Sequence, residues 1–331
     1  MDIFQILFEE AWRFLQVSQA LELLQSGDLS ALTTYEGLRA VIRPAIPMLL
    51  IFEAVLGLIY RKPQSKVYRV NFLIYACNRF IGRFVSFGMV LFCIGLFQRY
   101  APFQVSLSWF GFIYAYLVWE LGHFLYHYLA HKVRLLWCLH STHHAPEDMN
   151  LSVTHAHFFL EAPYADTIRT TVCILLGVQP ELLFLIMFID GTYGAFIHIG
   201  DNLVKDARFG VLNKIMLTPS HHRVHHARNP LYIDTNFCNL LNVWDRIFGT
   251  YQEEDRSLKI DYGINRKTNS GSFLDVYFGE FVALGRDLRA APGLKNKLLY
   301  LLKPPGWHPG GEHHTAAVVR EQYLNTEGRG I

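Results

Sequence analysis

The sequence is poor in charge, and its cysteines follow no pattern. Only 18% of its 331 residues are Asp, Glu, Lys or Arg, against about 25% in an ordinary soluble domain. Hydrophobic residues reach 51% and mean hydropathy is +0.18. This balance excludes a typical soluble domain and suits a chain partly dissolved in lipid. A net charge of only +2 argues against nucleic acid or any other polyanion as partner. The five cysteines (Cys77, Cys93, Cys138, Cys173, Cys238) are odd in number and contain no CxxC pair, which excludes a disulfide framework and a thiolate metal site. There is no HExxH, which removes the common zinc protease, and no internal repeat or low-complexity tract. The first residues, MDIFQILFEEAWRF, have early acids and no basic n-region. They do not read as a cleavable signal peptide, and an interfacial amphipathic helix is expected there.

What is present comes first as apolar stretches. Ala45 to Tyr60 is bounded by Arg43 and Arg61, Phe84 to Phe97 follows a helical lead-in from about Val70, and Ala101 to Trp119 has no charge over 19 residues, long enough to span a bilayer core. Ala162 to Ile199 reads as a helical hairpin turning at Gln179-Pro180-Glu181, and after about Gly200 the chain is polar. Arg61, Lys62, Lys66 and Arg69 make the first connection basic, whereas the next, near Gln98 to Pro102, has only Arg99. By the positive-inside rule the first connection is cytoplasmic, so the third span ends on that side, near Glu120 to Lys132. The expected fold is all-α, an integral membrane helical bundle with a cytoplasmic, histidine-rich di-metal cap. Its divisions are an interfacial segment (1–44), a membrane domain of four or five spans or hairpin helices (45–254) and a cytoplasmic C-terminal region (255–331).

Thirteen of the sixteen histidines lie between His123 and His226. His127 and His131 are four apart, His140, His143 and His144 form HxxHH, and His222, His225 and His226 form a second HxxHH, extended by His221. On a helix, positions i, i+3 and i+4 share a face, so each HxxHH is expected to aim three imidazoles at one point. Two triplets and the pair supply eight donors, enough for two metal ions, and neutral imidazole suits iron, zinc and copper. The hairpin returns the chain to the face it left, so the two boxes can meet, and it delivers His198 to the same end. Packing this many rings together without metal would accumulate desolvation and repulsion. A carboxylate-type di-iron site needs two ExxH motifs, and Glu120 to His123 is the single copy here. His123 sits one turn deeper than His127, which favours a pocket role. His155 and His157 are unassigned, and His308, His313 and His314 belong to a polar tail expected to be solvated.

Three strings, ELGHFLYHYLAH (Glu120 to His131), LWCLHSTHHAPEDMNLS (Leu136 to Ser152) and TPSHHRVHHARNPLYIDTNF (Thr218 to Phe237), resemble the sterol desaturase/fatty acid hydroxylase superfamily. With NVWDRIFGTYQEE (Asn242 to Glu254) the likeness is nearest to its alkylglycerol monooxygenase-like branch, and PPGWHP (Pro304 to Pro309) resembles a late motif of bacterial members. The resemblance implies a di-iron membrane oxidoreductase using two Fe ions, O2 and electrons from outside. It maps the metal ligands onto His127, His131, His140, His143, His144, His222, His225 and His226, with His198 and His221 as additions. Where relatives often carry an acid after the second histidine, this chain has Lys132.

Metal-bound imidazoles usually donate their second N–H to a carboxylate or carbonyl. Glu147, Asp148 and Asn150 after the first HxxHH, and Asp234, Asn236 and Asp245 after the second, stand ready for that, or equally for helix capping and turns. Arg223 and Arg246 could hold a lipid head group or be plain surface charge. The expected activity is O2-dependent hydroxylation of a membrane lipid: a fatty acyl chain, an ether lipid, or an aminolipid such as ornithine lipid. A sterol or hopanoid-type desaturase or oxidase is the alternative within the superfamily. A histidine-rich metal transporter is the alternative outside it, and a b-type cytochrome would need only isolated histidine pairs. With no flavin, haem-domain or Rossmann signature in the sequence, a separate reductase of ferredoxin or cytochrome type, or a reduced pterin, is the expected electron donor.

Overall fold

A computed structural model describes residues 65–326, together with single positions 5, 9, 18, 22, 25, 51, 53 and 55. The interfacial segment and the stretch Ala45 to Tyr60 therefore lie outside the described residues, those positions aside. The chain divides into compact units at 1–62 and 63–331. Among the described residues the second unit is all-helical, with three isolated β-bridges and no strand.

Helix α1 (Ser65–Phe97) runs 33 residues, about 50 Å at 1.5 Å per residue. A short 3-10 turn (Gln98–Tyr100) ends it. The uncharged stretch that follows does not become one helix. Val105 N–H donates to Gly177 O at 2.8 Å, and α2 (Trp109–Lys132) starts only where Ser108 Oγ accepts from Gly111 N–H. Two glycines make this corner possible. A Cβ on Gly111 would lie 2.1 Å from Ser106 O, and Gly177, at φ +79°, would press one to 2.6 Å from Phe103 O. Extended backbone at Val133 then separates α2 from α3 (Arg134–His144).

The expected hairpin is present as α4 (Glu161–Leu175) and α5 (Pro180–Phe196), with Pro180 at the helix start, where its missing N–H costs nothing. α4 lies against α1 and α2, and α5 against α2. Between them Tyr116, Trp119, Cys173, Ile174, Leu182, Leu183 and Ile186 form a core. The polar part supplies α6 (Pro219–His225) and α7 (Val243–Ile247). The boundary drawn after residue 254 is crossed by packing. α8 (Phe273–Ala290) lies on α3 and α1, with Arg134 bridging to Glu280 at 2.6 Å. α9 (Gly293–Leu302) follows, and α10 (Ala316–Thr326) brings Tyr323 and Leu324 onto Val224 and Tyr232.

No helix among the described residues is long and apolar enough to cross a membrane. Large apolar side chains are nevertheless bare along the second half of α1 and the start of α2. Phe84, Phe92, Leu107, Trp109 and Phe110 are 61 to 86% exposed.

One buried carboxylate ties the bundle to the polar part. Glu120 on α2 accepts from Asn239 N–H at 3.0 Å, Leu240 N–H at 2.7 Å and Leu241 N–H at 2.9 Å. Replacing Glu120 with Ala strands the buried Asn239 N–H, at about 1–3 kcal/mol, and the partly buried N–H groups of Leu240 and Leu241. Glu120→Ala should lower the thermal unfolding midpoint of the detergent-solubilised protein markedly and Glu120→Gln less; an unchanged midpoint for Glu120→Ala would reject this anchor.

Candidate metal centre

The break at Val133 lets α2 and α3 face each other, and the hairpin carries α5 back to the same end. Nine buried histidines converge there in two sets. One holds His127, His131, His140, His144 and His225; the other holds His143, His198, His222 and His226. Within each set, one ring nitrogen of every member lies within 4.8 Å of all the others. The sets abut, with the His144 and His226 rings stacked at 4.4 Å.

The expectation that each HxxHH aims at one point is corrected. α3 sends His140 and His144 to the five-membered set and His143 to the other. α6 and its cap do the reverse, sending His222 and His226 to the four-membered set and His225 to the first. The cause is helical rotation: at 3.6 residues per turn, i+3 and i+4 fall on opposite sides of i, about 100° apart. The two boxes thus interleave.

Hydrogen bonds fix the tautomers. Carbonyl oxygens only accept, so Nδ1 of His127 donates to Phe237 O at 2.8 Å, that of His225 to Thr235 O at 2.7 Å, and that of His198 to Gly194 O at 2.6 Å. Two carboxylates take the same role. Glu161 Oε1 is 2.6 Å from His140 Nδ1, and Asp234 Oδ1 is 3.2 Å from His131 Nδ1. A neutral ring that donates from Nδ1 has only a lone pair at Nε2. His127 and His140 nonetheless point Nε2 at each other across 3.0 Å, and the buried Nε2 atoms of His131 and His225 have no hydrogen-bond partner. Converging lone pairs repel unless a cation lies among them.

Spacing fits a metal ion. Donors about 2.1 Å from one ion are about 3.0 Å apart at right angles and about 3.4 Å apart at the tetrahedral angle. The Nε2 pairs His127–His140, His144–His140, His143–His198, His222–His198 and His226–His222 span 2.8 to 3.2 Å. Burial, reinforced by neighbouring rings, holds His143, His144, His222, His225 and His226 well below the usual imidazole range. They stay neutral, the form that binds metal.

His221 stands outside both sets. Its Nδ1 faces Thr218 N–H at 3.1 Å in a capping box at the start of α6, and its Nε2 lies 2.9 Å from Tyr251 Oη, so both nitrogens are engaged outside the sets. Glu147 is also misplaced by sequence reasoning: it sits at the surface beside Arg228 and Ser270. Asp148 is half-buried. Asn150 caps the 3-10 turn Leu151–His155 by accepting from Ser152 N–H. Asp245 acts one step away. It accepts from Phe237 N–H at 2.7 Å and Cys238 N–H at 2.9 Å, fixing the turn whose carbonyl orients His127. Arg223 is spent inside the fold, donating to Ile199 O, Val204 O and Lys205 O.

Sequence reasoning missed Glu161, which serves His140 and also His157, whose Nδ1 is 2.9 Å from Oε2. His157 in turn stacks on His143 at 4.3 Å. Lys132, the departure from the family pattern, forms an ion pair with Asp234. Burial works against the Asp234 carboxylate, but His131 and Lys132 hold it below its usual range. His123 lies 3.7 Å from Asp190 at the edge of the site.

The stretch that carries these nine histidines has a family match among known proteins. Residues 112–250 match the fatty acid hydroxylase family model. The chain is 34% identical to human alkylglycerol monooxygenase over 211 residues, 63% of this chain and 44% of that protein. It is 30% identical to the Caenorhabditis elegans alkylglycerol monooxygenase over 223 residues, 63% of this chain and 41% of that protein. It is likewise 30% identical to the ornithine lipid hydroxylase of Rhizobium tropici over 168 residues, 50% of this chain and 49% of that protein. The chain thus spans about half or less of the curated relatives it matches. No solved structure matches it.

His143→Ala and His225→Ala, one from each set, should both lower the metal content of the purified protein. His221→Ala should retain metal while losing about 1 kcal/mol of stability with its cap, and His313→Ala should change neither. Metal analysis with thermal unfolding separates these outcomes, and full metal content in either of the first two variants would refute the ligand sets.

Proposed function

We propose, on the premise that this chain belongs through residues 112–250 to the sterol desaturase/fatty acid hydroxylase superfamily, that it is a membrane-bound di-iron monooxygenase that hydroxylates a lipid. The observation carrying this reading is the convergence of Nε2 atoms, 2.8 to 3.2 Å from one another, in two abutting, fully histidine-built sets. Five donors in one set exceed the four of a tetrahedral zinc site, and imidazole is a normal ligand of iron. The named relatives act on an alkylglycerol or an ornithine lipid. The proposed substrate class is accordingly a lipid with a long alkyl chain, whether ether lipid, aminolipid or fatty acyl chain.

His127, His131, His140, His144 and His225 would hold one ion, and His143, His198, His222 and His226 the other. When bound, the iron pair supplies the activation of O2 needed to hydroxylate an unactivated C–H bond, chemistry beyond any side chain. The protein's own residues supply rigidity and shelter. Phe237 O, Thr235 O, Gly194 O, Glu161 and Asp234 lock ring orientation, and such partners also raise ligand basicity. A cavity of about 230 Å³ touches His127 and His140 of one set and His143, His198 and His222 of the other, so a substrate carbon there faces both ions. Buried, orientation-locked ligands suit a resident metal rather than one in transit, which weighs against a transporter.

Bare aromatic and aliphatic side chains on α1 and α2 support embedding in lipid, with a cytoplasmic site by the positive-inside reading of Arg61 to Arg69. Electrons come from a separate donor, a reductase of ferredoxin or cytochrome type or a reduced pterin. Lipid mass spectrometry of cells with and without the protein should reveal a species one oxygen atom heavier than its precursor, absent with His143→Ala. Unchanged lipid profiles in cells making metal-loaded protein would refute the assignment.

A further inference from the structure

Two larger cavities flank the metal centre, and they differ in what they join. One, of about 340 Å³, lies under the C-terminal segment between Trp137, Ile264 and Ala316 and reaches His131, His144 and His225. The other, of about 400 Å³, is a groove between α1, α4 and α5 walled by Phe87, Val90, Phe158, Phe159, Phe184 and Met187. This groove shares Thr154, His157 and Ala162 with the smaller cavity that touches both histidine sets. The two are therefore adjoining chambers with one common wall. The outer chamber opens beside Phe84 and Phe87, 79% and 56% exposed, and Phe184 is 38% exposed at its rim. Its bare apolar rim is continuous with the exposed apolar surface of α1.

The common wall is thin where it matters. Ala162 presents a single methyl group. His157 is held edgewise by Glu161 at 2.9 Å and flat against the His143 ring at 4.3 Å, while its side chain remains 36% exposed. On the inner side the walls turn polar, with Arg169, Asp190, His123 and Asn239. The outer chamber is mostly apolar, with Asn78, Ser86, Thr154, His155 and Asp166 as its polar lining. A mostly apolar chamber leading through a narrow neck to metal-facing nitrogens is the arrangement that admits an extended alkyl chain and offers one of its carbons to both sets.

We propose that the outer groove is the alkyl-chain site of this protein, entered laterally between α1 and α5, and that Ala162 and His157 form a neck setting how far the chain reaches toward the metal centre. This rests on the oxygenase reading for its chemistry, but the route itself is a matter of shape and can be tested apart from turnover. His157 is here a positioning residue. Its ring cannot swing into the neck without leaving both Glu161 and His143.

The test is photo-crosslinking of the full chain in phosphatidylcholine vesicles, using a fatty alcohol with a diazirine near its chain end. Labelled peptides should contain Phe87, Phe158–Phe159 or Phe184–Met187 and, for the deepest probes, Tyr126 or Ala195. Ala162→Phe should reduce inner labelling at least tenfold, leave outer labelling in place and keep the metal content. Met187→Trp, remote from the ligands, should reduce labelling of the outer chamber and carries the test if Ala162→Phe loses metal. Labelling confined to the chamber of Trp137, Ile264 and Ala316, or inner labelling unchanged in Ala162→Phe, would overturn the route. Labelling as expected in a protein that holds no metal would instead sink the oxygenase reading and leave the chain site standing.

Discussion

Everything about this fold answers to the cost of bringing nine imidazoles out of water into one place. Each ring must lose its hydration and find a partner for Nδ1, and each Nε2 must then face others like itself. The chain meets the first demand for five of the nine rings, with carbonyls at Phe237, Thr235 and Gly194 and carboxylates at Glu161 and Asp234, while the buried Nδ1 of His143 has no hydrogen-bond partner. The second demand is one that lone pairs facing lone pairs cannot meet among themselves, which is why the site is intelligible as a cation cage and not as a core. The same demand explains why polar loops, normally superficial, are buried here. Residues 234–245 carry backbone acceptors for the rings, and Glu120 and Asp245 in turn hold their N–H groups.

Much of this is legible in the sequence alone. The HxxHH boxes, the HxxxH pair, the hairpin turning at Pro180 and the return of His198 all follow from spacing and hydropathy. How each box divides between two sets is not legible there. Spacing says that i, i+3 and i+4 share a face, but a face is about 100° wide, and two targets fit within it. His221 is over-read from sequence for a related reason. Thr218-Pro219 is a helix start, and the residue at N3 of such a start has backbone work to do; that signal is present but outweighed by a neighbouring histidine. Glu161 escapes notice because it belongs to no motif. It stands at the head of an apolar run, and only the fold brings it to His140.

The membrane reading is where pattern and structure part in detail. The uncharged stretch from Ala101 to Trp119 has the length of one span, yet its first eight residues lie outside the helix, in a corner built by Ser108, Gly111 and Gly177. Hydropathy registers side-chain transfer energy and is blind to where backbone can turn. The apolar surface it detects is real, but it is distributed over the second half of α1 and the beginning of α2.

The interleaving of the two boxes has a mechanical consequence. Because α3 and the α6 region each supply both sets, the rotation of either helix about its axis is shared by the two histidine sets at once. An ion seated in one set would fix that rotation and thereby size the other. Under the proposed function the two sets would then be filled as one keyed unit.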